Sequence, residues 1–324
     1  MSEKIYPVAV IGGGSAGTMA VLRTVLNNDE TLFFPGSPKD KKKSRAFWVA
    51  KVDNMPGHQK YRKGIEEPNK ESLDWLAKSE FSSIFHWHKN RGIKKIEKRI
   101  DNIFVLTDNQ DFVYLAQYVI LCTGVMDVQP HIQGSMDPVF PYANAQSIDY
   151  CLRCDGHHTL GKNTAIIGNG DGAAWVAIML KERYNNPSMA VISHNNEGSF
   201  SDDVKALMTK YDIKYLDDEI LEINGDRKSG TFSSFTLKNH GDYKCEFAFV
   251  SMGMIVYNEL ALSLNAEVDK RGFITTNPQG MSSVENFYAA GDIRAGFKKQ
   301  IYTAWDMAVD SADDINRKLR AGRR

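Results

Sequence analysis

Residues 5–17 read Ile5-Tyr6-Pro7-Val8-Ala9-Val10-Ile11-Gly12-Gly13-Gly14-Ser15-Ala16-Gly17, and Thr18 to Leu26 (TMAVLRTVL) follows as a helical stretch. A short, mostly apolar run is what a parallel strand buried on both faces requires. The glycines then have separate tasks. Gly12 makes the tight turn, Gly14 lets backbone approach a pyrophosphate, and Gly17 lets helix pack on strand. Phosphates at such a turn rest on the amides of the helix N-terminus, here with Ser15 and Ala16 in the same turn.

The pattern recurs. Thr164–Ile167 is a short strand, Gly168-Asn169-Gly170-Asp171-Gly172-Ala173 a second glycine turn, and Ala174–Lys181 a second helix. One such loop is weak evidence; two, each between strand and helix, predict an α/β chain with two Rossmann-like dinucleotide-binding domains. Tyr118–Leu121 is another buried strand, ending in Cys122-Thr123-Gly124. Pro130, Pro138 and Pro141 then interrupt the pattern, which places a linker near 125–131. A second linker is expected over 251–258, after the strand Glu246–Val250. Phe287–Ala290 leads into Gly291-Asp292, and Ile301–Leu319 reads as a helix. The simplest organisation joins 1–127 and 255–324 into one domain, with 128–254 inserted as the second.

The 324 residues suffice for two such domains, and 42% apolar with 25% charged residues is ordinary for a globular protein. A formal net charge of zero gives no reason to expect nucleic acid or an anionic membrane as partner. The basic run Lys39–Arg45 reads as a solvated surface loop. No stretch approaches the roughly 20 apolar residues of a membrane span, and Met1–Pro7 runs into the first strand without a signal-peptide layout, so a cytoplasmic location is expected.

Four cysteines are too few for a secreted disulfide framework in a chain of this length. Cys122 and Cys245 read as small buried apolar residues. Cys151 and Cys154, two residues apart, point to redox or metal chemistry. A dithiol with this spacing closes a disulfide with little rearrangement, and its working form is the thiolate. Two other readings stay open: inert thiols, or zinc held by Cys151, Cys154, His157 and His158. Adjacent histidines point apart on most backbones and structural zinc sites space their second ligand pair, so no metal is expected. His157 and His158 read as loop residues, and His86-Trp87-His88 as packing at the core edge.

Taken together, these motifs resemble the low-molecular-weight thioredoxin reductase family over nearly the full length. Gly12–Gly17 matches its FAD phosphate loop, Val52-Asp53-Asn54-Met55-Pro56-Gly57 resembles its V-E-N-x-P-G segment, and Cys122-Thr123-Gly124 its A-T-G turn. Cys151-Leu152-Arg153-Cys154-Asp155-Gly156 resembles its C-x-x-C-D-G, and Ala289-Ala290-Gly291-Asp292 its A-A-G-D. Lys299-Gln300-Ile301 resembles its R-Q-(I/V). The resemblance implies a homodimeric flavoprotein whose FAD is held by Gly12, Gly14, Ser15, Ala16, Gly17, Asn54, Thr123, Gly124, Gly291, Asp292, Lys299, Gln300 and Ile301. It implies that Cys154 faces the flavin, that Cys151 attacks the disulfide of a thioredoxin-like protein, and that Asp155 is the acid. It also implies that the inserted domain rotates against the flavin domain.

The departures bear on the electron donor. The family carries H-R-R after the second strand of its NADPH domain, where the arginines bind the 2′-phosphate. Here the stretch is His194-Asn195-Asn196-Glu197, which removes the cationic fork. A second nucleotide site would rest on Gly168, Gly170, Asp171, Gly172, Ala173 and His194, for a second FAD or NAD(P)H. In the flavin domain Phe34 stands where an acidic residue would hold the adenosine ribose, and no G-G-Q is recognisable in 36–45. Tyr302 and Trp305 stand where the family has small residues, placed to stack on a flavin or to pack an interface. The expectation is an FAD-dependent disulfide oxidoreductase with a donor other than NADPH, either ferredoxin or a second flavin. The alternatives are an NAD(P)H-dependent thioredoxin reductase and an FAD-binding redox sensor with little turnover.

Overall fold

A computed structural model describes residues 4–49, 51–296 and 298–324. The chain forms two compact units: Met1–Lys51 with Gly57–Met126 and Ile255–Arg324, and Val52–Pro56 with Asp127–Met254. Among the described residues no helix is long and apolar enough to cross a membrane.

The first unit is built on a seven-stranded sheet in the order Phe85–Trp87, Thr31–Phe34, Ile5–Ile11, Val113–Leu121, Phe104–Asp108, Ile93–Lys98, with Phe287–Ala289 also paired to Val113–Leu121. The central pairs are parallel, and Ile11 stands beside both Phe34 and Leu121, with Ala289 also beside Leu121. Three loops therefore leave the sheet together at its carboxyl edge: Gly12 onward, Cys122 onward and Ala290 onward. That edge is where open α/β sheets bind ligands. Val8, Val10, Leu32, Phe33 and Phe34 are fully buried, as the apolar runs required. The first helix, Ser15–Leu26, lays Ala16, Ala20, Val21 and Val25 into the same core as Ala304, Ala308 and Ile315 of the C-terminal helix, Ile301–Gly322. Small residues on both helices permit that close packing. At its rim the Arg23 guanidinium donates to both Asp313 carboxylate oxygens at 2.6 and 2.9 Å.

The second unit has a five-stranded, all-parallel sheet in the order Ile213–Leu216, Met189–Ile192, Thr164–Ile167, Phe247–Val250, Ile148–Asp149. Both faces are covered. Ile166 packs with Ala173, Ala174, Ala177 and Ile178 of the helix Gly170–Tyr184, while Ala165 and Ile167 face Phe232, Phe235 and Leu237. Phe232, Phe235 and Leu237 belong to a three-stranded antiparallel sheet over Ile220–Asp226, Thr231–Leu237 and Gly241–Lys244. The chain segments Val125–Asp127 and Met254–Val256, at the passages between units, pair as two strands.

The basic run departs from the expected loop. Ser37 caps a helical turn at Pro38–Lys41 and Ser44 caps another at Arg45–Trp48. Lys39 and Lys41–Lys43 stay exposed, but Arg45 turns inward onto Asp292 at 3.1 Å.

Candidate active site

The first glycine loop is held by its neighbours. A Cβ at Gly12 (φ +112°) would lie 2.3 Å from the Cys122 carbonyl oxygen, and one at Gly17 only 1.7 Å from the Gly12 carbonyl oxygen. Only glycine permits such approaches. Gly291 (φ +83°) closes the same corner, since a Cβ there would stand 2.7 Å from the Ala16 Cβ. Gly14 is different: a Cβ there would meet only the Ser44 Oγ, at 4.0 Å. The first helix has no side-chain cap and no acidic residue in its first turn. Its leading amides therefore have no side-chain cap of their own, which fits the pyrophosphate of FAD.

Around that corner the Thr123 hydroxyl donates to the Tyr257 carbonyl at 2.7 Å, and the Gly124 carbonyl accepts from the Tyr257 amide at 3.2 Å. Asp292 is paired with Arg45, a partner sequence reasoning missed because 247 residues separate them. The Lys299 ammonium donates to the carbonyls of Asp292 and Arg294 at 2.8 and 2.5 Å, and burial pulls its pKa down to about 8. Gln300, also buried, is the N-cap of the C-terminal helix, which begins at Ile301. Trp305 lies one turn on, its ring 5.8 Å from that of His58, and Tyr302 is exposed. Phe34 fills the end of its strand, stacked on His88 at 4.8 Å. Asn54 falls in the Val52–Pro56 segment that clusters with the second unit.

In the second unit the edge strand Ile148–Asp149 delivers the chain to Cys151, the N-cap of a single helical turn, Leu152–Asp155. Cys151 and Cys154 form a disulfide, with their Cα atoms 5.3 Å apart. Gly156 seats this turn on the helix Gly170–Tyr184, where a Cβ would press on Leu152, Leu180 and Tyr184. Cys122 and Cys245 are buried free thiols whose pKa burial raises.

Asp155 presents a carboxylate oxygen within 4.8 Å of both sulfurs. Burial, reinforced by the neighbouring Asp149 carboxylate, pushes its pKa up to about 8, which favours the protonated acid. His158 is not the loop residue expected. It sits on the 3-10 turn Gly156–Thr159 with its Nδ1 3.0 Å from the buried Asp149 carboxylate and its Nε2 3.3 Å from Asp53. The hydrogen bond to Asp149 raises its pKa. Nor do the two histidines point apart, because the tight turn brings their rings to 4.3 Å, with the His157 Nε2 3.7 Å from Asp53. The histidines thus group with carboxylates rather than with the sulfurs, which are bonded to each other. Asp149 and His158 were missed as a pair; their only signal was two ionisable residues flanking C-x-x-C-D-G.

The second glycine loop has the same backbone logic. A Cβ at Gly168 would lie 2.3 Å from the Ser251 carbonyl oxygen, Ala173 is buried, and Gly172 faces open space. Gly170 has φ +73°, and Asp171 accepts from the Ser201 amide at 2.8 Å. His194 is engaged by the fold. Its side chain is buried, its Nε2 donates to the His131 carbonyl at 3.2 Å and its Nδ1 accepts from the Ile220 amide at 3.1 Å, so both ring nitrogens serve the fold. Burial lowers its pKa, in keeping with a neutral ring. The Asn196 amide donates to the Ser193 and His194 carbonyls at 2.7 and 3.3 Å.

Two dinucleotide-binding loops and a disulfide flanked by a largely buried carboxyl group define an enzyme of the flavin-dependent disulfide oxidoreductase class, with FAD as cofactor. The chain belongs to the pyridine nucleotide-disulphide oxidoreductase family, whose sequence pattern matches residues 6–312. It is 25% identical over 307 residues to a thioredoxin reductase of Treponema pallidum, covering 93% of each chain. It is 25% identical over 310 residues to one of Bacillus subtilis, covering 93% of this chain and 91% of the relative. Its fold is similar to the thioredoxin reductase structures of Streptococcus pyogenes (TM-score 0.82, 21% identity, 99% of this chain and 100% of the other) and Giardia duodenalis (TM-score 0.81, 21% identity, 98% and 100%).

Proposed function

We propose that this enzyme passes an electron pair from FAD through the Cys151/Cys154 disulfide to the disulfide of a thioredoxin-like protein, and draws its electrons from a donor other than NADPH. The observation that carries the first half is the disulfide with an Asp155 carboxyl oxygen within 4.8 Å of both sulfurs, in surroundings whose burial raises the pKa of that acid. Bound FAD supplies the two-electron carrier. In this reading Gly12, Gly14, Ser15, Ala16 and Gly17 hold its pyrophosphate and Asp292 its ribityl–phosphate region. Asn54, Thr123, Gly124, Gly291, Lys299, Gln300, Ile301 and Trp305 complete the cofactor site. Cys154 faces the flavin, Cys151 attacks the substrate disulfide, and Asp155 donates a proton to the sulfur that leaves. The first unit is the flavin domain, the second the inserted domain, and the enzyme works as a homodimer in the cytoplasm.

Support for the donor comes from the end of the strand Met189–Ile192. A 2′-phosphate there would meet Asn195, Asn196 and Glu197 rather than two guanidinium groups, and Asn195 interacts with the Glu219 carboxylate. A second flavin, which carries no 2′-phosphate, is compatible with this surface, and ferredoxin would not need it. Lys39 and Lys41–Lys43 offer an acidic ferredoxin a docking patch, without Arg45. The retained packing of Gly168 and Ala173 favours a second reading, an NADH-dependent reductase.

The dithiol is tested with Cys151→Ser and Cys154→Ser. Each is expected to keep full flavin content while disulfide reduction by the photoreduced enzyme falls to background. Survival of reduction in both variants contradicts the mechanism.

A further inference from the structure

Asp155 can give its proton once per cycle, so something must return it. Reduction breaks the Cys151–Cys154 bond. The electron pair arrives from reduced flavin, and one proton leaves one sulfur as thiol and the other as thiolate. If that proton comes from Asp155, a carboxylate remains inside a largely buried pocket beside Asp149, which is costly.

The geometry points to His158 as the positioning residue that recharges Asp155, relaying protons from the Asp53 side of the pocket to the carboxyl beside the dithiol. The argument rests on the disulfide-oxidoreductase reading above. Asp149, Asp155 and His158 each place an oxygen or nitrogen within 4.8 Å of the others, and an Asp155 oxygen lies within 4.8 Å of both sulfurs. The His158 ring is fixed at both nitrogens, by Asp149 at 3.0 Å and by exposed Asp53 at 3.3 Å. One edge of the imidazole thus meets a buried carboxylate, and the other a carboxylate in contact with water. His157, exposed and 3.7 Å from Asp53, widens the entry.

The groups facing this pocket are Asp149 from the edge strand, Asp155 from the helical turn, His157 and His158 from the 3-10 turn, Asp53 from the Val52–Pro56 segment and, at longer range on Asp149, Lys162. The hydrogen bond to Asp149 and the neighbouring carboxylates raise the His158 pKa, while charge on His158 lowers that of Asp155. Because the His158 nitrogens face Asp149 and Asp53, one proton passes from His158 by way of the Asp149 carboxylate to Asp155, and one from water on the Asp53 side to His158, so the cycle balances.

The test uses the FAD-loaded enzyme, photoreduced under anaerobic conditions and mixed with hydroxyethyl disulfide across a pH series. Wild type is expected to hold a plateau and decline near pH 8, where Asp155 loses its proton. In His158→Gln the plateau falls by about a hundredfold. Its alkaline limb also moves to higher pH, because the imidazolium no longer lowers Asp155. A merely structural loss would lower the plateau and leave the limb in place, which overturns the relay. Asp53→Asn, at an exposed position, gives the same fall in milder form and keeps the question open to test should His158→Gln misfold. A variant with wild-type plateau and limb overturns the relay alone. A wild type unable to reduce the disulfide overturns the reading of the cysteine pair as well.

Discussion

The two glycine loops of this chain have nearly the same backbone and different surroundings. In each, a run of buried strand residues, Val8–Ile11 or Thr164–Ile167, ends in a glycine whose missing Cβ makes room for a neighbouring carbonyl, at Cys122 for Gly12 and at Ser251 for Gly168. Around the first loop, Ala16, Gly291, Asp292 and Arg45 converge on an uncapped helix N-terminus. Around the second, Asn169 caps the helix, Asp171 occupies its first turn, and His194 and Asn196 spend their polar atoms on the fold. Strand–turn–helix physics specifies a loop able to receive phosphate; residues brought from elsewhere decide what the loop receives.

The largest break in the comparison comes from the first loop. Gly17→Val puts a side chain where a Cβ alone would be 1.7 Å from the Gly12 carbonyl oxygen. We expect the purified variant to carry almost no flavin, measured as the ratio of bound flavin to protein.

A smaller effect sharpens the second loop. Asn195→Arg with Asn196→Arg restores two cations at the end of Met189–Ile192, and a charge-assisted hydrogen bond contributes about 1.5–3 kcal/mol. Flavin reduction by NADPH is expected to accelerate by about tenfold or more over wild type, while reduction by NADH changes little; stopped-flow absorbance reads both. The smallest effect is expected for Gly172→Ala. Its Cβ meets nothing within 4 Å, so thermal stability and flavin content should both match wild type.

Local signals made most of the fold legible. The strands Ile5–Ile11 and Thr164–Ile167 begin and end where the apolar runs do, while each helix starts inside its glycine motif, at Ser15 and Gly170, rather than after it at Thr18 and Ala174. The C-x-x-C spacing pointed to the disulfide because the two sulfurs need only one helical turn to meet. What sequence could not show is tertiary. Arg45 lay within a run of lysines, and only the capping serines at 37 and 44 divide that run and turn it inward. His158 meets Asp53 across 105 residues, and no spacing rule reports that contact. His194 matched a motif position, yet its left-handed backbone (φ +46°) and buried ring answer to the fold.

The central claim is that the first loop carries the working flavin and that the second does not deliver hydride from NADPH. An anaerobic titration of the purified holoenzyme with NADPH, then NADH, then dithionite, followed by flavin absorbance, tests it most directly. The account predicts that NADPH leaves the flavin oxidised and that dithionite bleaches it fully. Rapid bleaching by one equivalent of NADPH would contradict it and return the enzyme to pyridine-nucleotide-driven disulfide reduction.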